Sequence, residues 1–186
     1  QNYAVTSVDI TGDGAEIPDS VRVLIVQGPQ KPLSEAEGDE LRTFLAGGGN
    51  MLLMMQQVSI DETALFPTPQ PHPVLDGLLA EYGVAIPDGM VMDLRSSGRV
   101  TLPSSSGMSY VVPYPLWLIA VPANAHAMVE GLSGVLLPWA SPLDLSASDT
   151  STVTPLLATT EFGQHLTGHH PINPTFDWNS IASDTR

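Results

Sequence analysis

Residues 21–57, VRVLIVQGPQKPLSEAEGDELRTFLAGGGNMLLMMQQ, constrain this chain more than any other stretch. They read in order as strand, loop, helix, glycine turn and strand. VRVLIV is an apolar run rich in β-branched residues, as expected of a strand buried on both faces. Gly28 and Pro29 end it, since neither extends a central strand comfortably. Ser34 offers a helix N-cap, and Glu37 three residues on completes a capping box. Leu41, Phe44 and Leu45 fall on one apolar stripe, with Glu35, Asp39, Glu40 and Arg42 on the wet side. Gly47 is placed to take the left-handed conformation that closes a helix. The run from Asn50 then supplies a second buried strand. Two buried strands joined by a helix predict a βαβ unit and a parallel sheet.

Extended to the whole chain, that unit predicts an α/β fold. The expected architecture is a three-layer α/β/α sandwich with a mostly parallel sheet and an irregular, proline-rich second half. Residues 1–168 are expected to form a single α/β domain and residues 169–186 a loosely ordered tail. A short opening strand is expected over residues 2–10. Residues 61–73 carry four prolines and read as a surface loop. A helix follows from Pro73, with Val74, Leu75, Leu78, Leu79 and Tyr82 at helical spacing and Gly83 as its stop. Residues 84–93 hold at least one strand. Residues 95–110, rich in Ser and Gly, read as mobile. Residues 108–121, apolar with regular prolines, suit an edge strand, and residues 135–139 and 153–158 are further short strands.

Charge excludes some functions. Twenty acidic residues against six basic ones give a formal net charge of −14, which phosphate backbones and anionic lipid heads repel, so no nucleic-acid partner is expected. The absence of cysteine removes disulfides, thiolate metal sites and any Cys nucleophile. The apolar stretch 110–125 is interrupted by Pro113, Pro115 and Pro122 and falls short of the ~20 residues a membrane helix needs. The start at Gln1 reads as that of an excised fragment, with any membrane segments lying outside it.

The candidate sites are sparse. Open parallel sheets bind ligands beyond the carboxyl ends of their strands. Here those ends carry Gln27, Gly28, Gln30 and Lys31, then Gln56, Gln57 and Ser59. These amides and hydroxyls suit a neutral polar ligand such as a sugar, or serve as ordinary polar loop ends. The triple glycine 47–49 follows a helix and precedes a strand, the reverse of a phosphate cradle. His165, His169 and His170 with Asp177 are weak metal candidates, because Gly168 and Pro171 oppose a helix that would aim them together. Ser104, Ser105 and Ser106 lack the strand-to-helix setting of a nucleophile elbow. Asp9, Asp13, Asp19, Asp88 and Asp93 lie near turns, where aspartate is expected. No cofactor is expected.

Four segments carry a family resemblance: IPDSVRVLIVQGPQKPLSEAEGDELRTFLAGGGNMLLMM, HPVLDGLLAEYGVAIPDGMVMD, HAMVEGLSGVLLPWASPLDLS and TVTPLLATTEF. In their order and spacing the chain resembles the extracytoplasmic domain of gliding-motility-type (Gld-like) ABC transport auxiliary proteins, relatives in fold of flavodoxin-like and glutamine-amidotransferase-like domains. The resemblance implies an ABC permease and ATPase as partners, and a tether to the cytoplasmic membrane from the periplasmic or outer face. Amidotransferase chemistry needs a Cys that this chain lacks. The expected function is therefore that of a non-catalytic accessory domain of an ABC-type system, acting through protein or glycan contacts. The alternatives are a stand-alone sugar or small-ligand module and a Ser- or metal-dependent hydrolase.

Overall fold

The computed structural model describes residues 3–12, 14, 16–61, 66–104, 107–149, 152–168 and 170–183. They form two compact units, residues 1–55 with 71–81, and residues 56–70 with 82–186.

In the first unit, β1 (Val23–Gln27) pairs in parallel with β2 (Asn50–Met54), Val23 opposite Asn50 and Gln27 opposite Met54. The helix α1 (Glu35–Ala46) joins them. Its capping box is complete. The Glu37 N–H donates to the Ser34 hydroxyl at 3.3 Å, and the Glu37 carboxylate accepts from the Ser34 N–H at 2.6 Å. At the other end the left-handed residue is Gly48 (φ +87°), not Gly47 (φ −73°). Gly48 N–H bonds the Leu45 carbonyl and Gly49 N–H the Phe44 carbonyl, a Schellman closure one residue later than the sequence predicts. The second helix, α2 (Pro73–Ala80), starts at Pro73 as expected. Gly38 of α1 lies so close to Val74 of α2 that a methyl group there would overlap the valine. Arg42 bonds Asp39 at 3.0 Å and Glu81, just past α2, at 2.6 Å. Leu41, Leu75, Leu78 and Ile17 are buried together, and Leu24, Phe44, Met51 and Leu53 pack against them. Residues 3–10 form no strand, yet Val8 and Ile10 reach this core.

Here the parallel sheet ends, at two strands. The three-layer α/β/α sandwich with a mostly parallel sheet is therefore not the architecture, and every other strand pairing among the described residues is antiparallel. For strands that follow one another directly, chain length gives the reason. A parallel neighbour needs a crossover of roughly a dozen residues or more, whereas residues 58–61 and 66–69, which pair antiparallel, are separated by only four.

The second unit holds β3 (Val58–Asp61) against β4 (Phe66–Pro69), and β4 lies within the stretch expected as a loop. Pro67 and Pro69 are two residues apart, so their missing donors fall on one side of the strand and leave the other side free to pair. β5 (Met90–Asp93) pairs with β10 (Gly163–Leu166). β6 (Ser97–Pro103) occupies the segment expected to be mobile. β7 (Ser109–Pro122), expected at an edge, lies between β6 and β8 (Val135–Pro138), and its last residues pair with β9 (Leu157–Ala158).

The β6–β7 ladder breaks once. Ser97 faces Leu118 but Arg99 faces Pro113, so residues 114–117 leave the pairing. Pro115, with no N–H to give, sits inside this break. Tyr114 and Leu116 turn instead into a core with Met90, Met92, Leu166, Ile172 and Trp178. The Tyr114 hydroxyl donates to the Ile172 carbonyl at 2.5 Å and accepts from Trp139 Nε1–H at 3.1 Å. Residues 170–183, within the segment expected to be loose, thus bring Ile172 into this core together with Trp178, the first residue of the short helix α3 (Trp178–Ser183).

Tyr114 should be the most sensitive phenol in the chain. Tyr114→Phe leaves the Trp139 indole N–H and the Ile172 carbonyl without that partner and should cost about 2 kcal/mol in denaturant unfolding. Tyr110→Phe, at a half-exposed position, should stay within about 0.5 kcal/mol. Equal midpoints for the two variants would refute the hub role of Tyr114.

Candidate functional site

The predicted ligand-binding residues fall into two sets. Gln27 ends β1 in the first unit, followed by Gly28 at φ +52°, whose N–H bonds the Met54 carbonyl at 2.8 Å. Gln30 turns back, its Nε2 donating to the Gly28 carbonyl at 2.9 Å, so one of its amide donors is used to close its own turn. Gln56, Gln57 and Ser59 belong to the second unit. Gln57 is buried, its N–H bonding the Ser141 hydroxyl and its carbonyl accepting the Gln70 N–H, both at 2.9 Å. Its backbone latches the start of β3. Ser59 is exposed opposite Thr68, and Gln56 is half-buried.

The histidines bond backbone. His165 on β10 meets the Asp88 carbonyl through Nε2 at 2.8 Å, and His170 meets the Thr167 carbonyl at 2.9 Å. His169 lies outside the described residues, as do Asp13, Ser105 and Ser106. Among the described residues, no group of three or more His, Asp or Glu comes together as a metal site would require.

Asp93 is the one fully buried carboxylate among the described residues. One oxygen accepts the N–H groups of Arg95 and Ser96, both at 2.8 Å. The other accepts the Thr160 N–H at 2.8 Å and the Thr160 hydroxyl at 2.7 Å. Burial pushes this carboxyl up, but the Thr160 hydroxyl and the three backbone donors outweigh it and hold the group below its ordinary value. With about four lone-pair positions on a carboxylate, these donors leave none vacant for chemistry. Asp93 ties the β5–β6 turn to the residues before β10. Beside it, the Arg95 guanidinium lies 5.0 Å from the Phe162 ring centre.

An open depression of about 510 Å³ is formed by the end of β7 and the connection from β7 to β8. Asn124, His126 and Glu130 line it together with Val129 and Leu132. His126 Nδ1 accepts the Met128 N–H, and Asn124 donates to the Pro155 carbonyl. The His126 ring therefore serves the loop itself, and Asn124 ties the loop to the segment before β9.

A feature the sequence reading missed lies in the first unit. Val23 and Ile25 are each 58 % exposed, Leu52 44 % and Met54 40 %. Burial alternates along both strands, so these four share the face of β1–β2 that points away from the helical side. An apolar run signals that both faces can be buried, and here only one is.

A family model described as "ABC-type uncharacterized transport system" matches residues 1–185. No curated protein and no solved structure matches the chain. The gliding-type kinship and the amidotransferase-like fold find no support in these comparisons. Among the described residues, no helix is long and apolar enough to cross a membrane.

Because the folded state holds Asp93 more acidic than the unfolded chain does, its stabilisation is complete above the unfolded value near pH 4. It is lost as pH falls through the lower folded value. Asp93→Ala leaves four donors without an acceptor and should cost about 3 kcal/mol at pH 7. The gap between variant and parent should shrink below pH 4. A gap that stays constant from pH 7 to pH 2 in urea titrations would show that ionised Asp93 contributes nothing.

Proposed function

The chain belongs to the family described as "ABC-type uncharacterized transport system" and is an auxiliary component of such a system; on that premise we propose that it is a non-catalytic domain acting by protein contact with the permease and ATPase. The observation that carries this reading is how the polar groups are used. The one fully buried carboxylate among the described residues has every acceptor position filled by the fold. His165 and His170 bond backbone carbonyls through their rings. Catalysis requires a rigidly held group left free to react, and these groups are held for structural ends. Glycan contact is the second mode of action, favoured by the open depression around Asn124, His126 and Glu130.

The domain is placed by this reading on the extracytoplasmic side of the membrane. The chain contains no cysteine, so a single Ala127→Cys substitution gives it one thiol at an exposed position. In intact cells that thiol should react with a membrane-impermeant maleimide, and the protein solubilised from the same membranes should bring down a permease and an ATPase. Labelling only after lysis would overturn the placement, and recovery without either subunit would overturn the partnership. Hydrolysis of ester, amide or glycoside model substrates above a buffer blank would overturn the non-catalytic role.

A further inference from the structure

We propose that the uncovered face of the β1–β2 pair is a docking surface for an amphipathic helix of another polypeptide, seated on Val23, Ile25, Leu52 and Met54. This inference does not depend on the transporter reading. A parallel strand pair is stable when both faces are covered, and helices are the usual cover. On the inner side, α1 supplies Leu41, Phe44 and Leu45 over Leu24, Met51 and Leu53. On the outer side, Ile25 stands opposite Leu52, with Val23 and Met54 at the two ends of the same face.

Size and charge select the occupant. The four residues expose roughly 350 Å², the size of the largest apolar patch on an ordinary monomer, which is often functional. A stable dimer needs about 800 Å² from each partner, so this face alone is too small to hold a second copy. Two copies would also bring together chains of formal charge −14 each. The positions on the face itself, Val23, Ile25, Gln27, Asn50, Leu52 and Met54, carry no charge, so an apolar stripe can cover them without burying an ion. Five-residue strands extend about 17 Å, and a helix of about 12 residues, the length of α1, extends about 18 Å. The complementary element is a helix of three to four turns with apolar residues at i, i+3, i+4 and i+7.

The test places the photo-crosslinker p-benzoylphenylalanine at Val23, Ile25, Leu52 or Met54, one at a time, in the intact protein within its native cells, with Ala127 as the control position. The expected result is capture of one segment of a different polypeptide, with the crosslinked partner residues spaced three and four apart. The double variant Ile25→Ser, Leu52→Ser changes only outward-facing side chains. It should keep its thermal midpoint within about 3 °C, while the crosslink from Val23 falls at least tenfold. Crosslinks to a second copy, to lipid, or to partner residues spaced by two would overturn the proposal. So would yields no higher than from Ala127, or an unchanged yield in the double variant. Should that variant fail to fold, the four crosslinker positions in the otherwise native chain decide the matter alone.

Discussion

The second unit depends on β7 leaving its ladder over residues 114–117. Were β7 paired with β6 throughout, Tyr114 and Leu116 would be held by the pleat, and their backbone groups would be used along β6. The break frees the Leu116 carbonyl, which accepts the Trp139 N–H at 2.7 Å. It also turns the phenol of Tyr114 toward Ile172 and Trp139. One residue bears the resulting strain. Trp139 has φ +50°, a conformation that costs a bulky side chain roughly 1–3 kcal/mol. Its backbone bond to Leu116, its indole bond to Tyr114 and an edge-on ring contact with Trp117 at 5.7 Å offset that cost. Trp178 packs edge-on against Tyr114 at 6.0 Å and against Phe176 at 5.1 Å, so the C-terminal segment is fastened to the same aromatic hub.

What was legible in the sequence was local. The capping box at Ser34 and Glu37, the helix beginning at Pro73 and the parallel pairing of residues 23–27 with 50–54 all follow from rules that act within a few turns of chain. The error in fold class came from extending that one unit to the rest. A βαβ segment says nothing about how many strands will follow it, and the next two strands, β3 and β4, pair antiparallel instead. In β6 the pattern Arg99, Val100, Thr101, Leu102 alternates polar with apolar, a strand signal outweighed in reading by the nearby serines and glycines.

The candidate site was less legible, for a different reason. Composition identifies amides and carboxylates but not what they bond. Aspartate at the β5–β6 turn was expected, and the bonds from Arg95 and Ser96 are ordinary turn chemistry. Thr160, which fills the other oxygen, is 67 residues away, and no local pattern announces it. By sequence Gln57 is a loop amide at a strand end, but the fold buries it. The outer face of β1–β2 was hidden by the opposite error, since an apolar run cannot tell whether its own chain supplies both covering layers.

That missing layer also sets how tightly such a face can bind. Covering about 350 Å² of apolar surface yields roughly 9 kcal/mol gross at about 25 cal/mol per Å². Association in solution costs about 4–15 kcal/mol in lost freedom, so a lone helix in solution would be held weakly or not at all. Within an assembly that keeps the helix nearby, most of that cost is met by the other contacts, and the same face becomes well occupied. An uncharged face of this size on a strongly acidic chain therefore suits an auxiliary component, whose apolar surface is covered when the complex is built and left tolerably small when it is not.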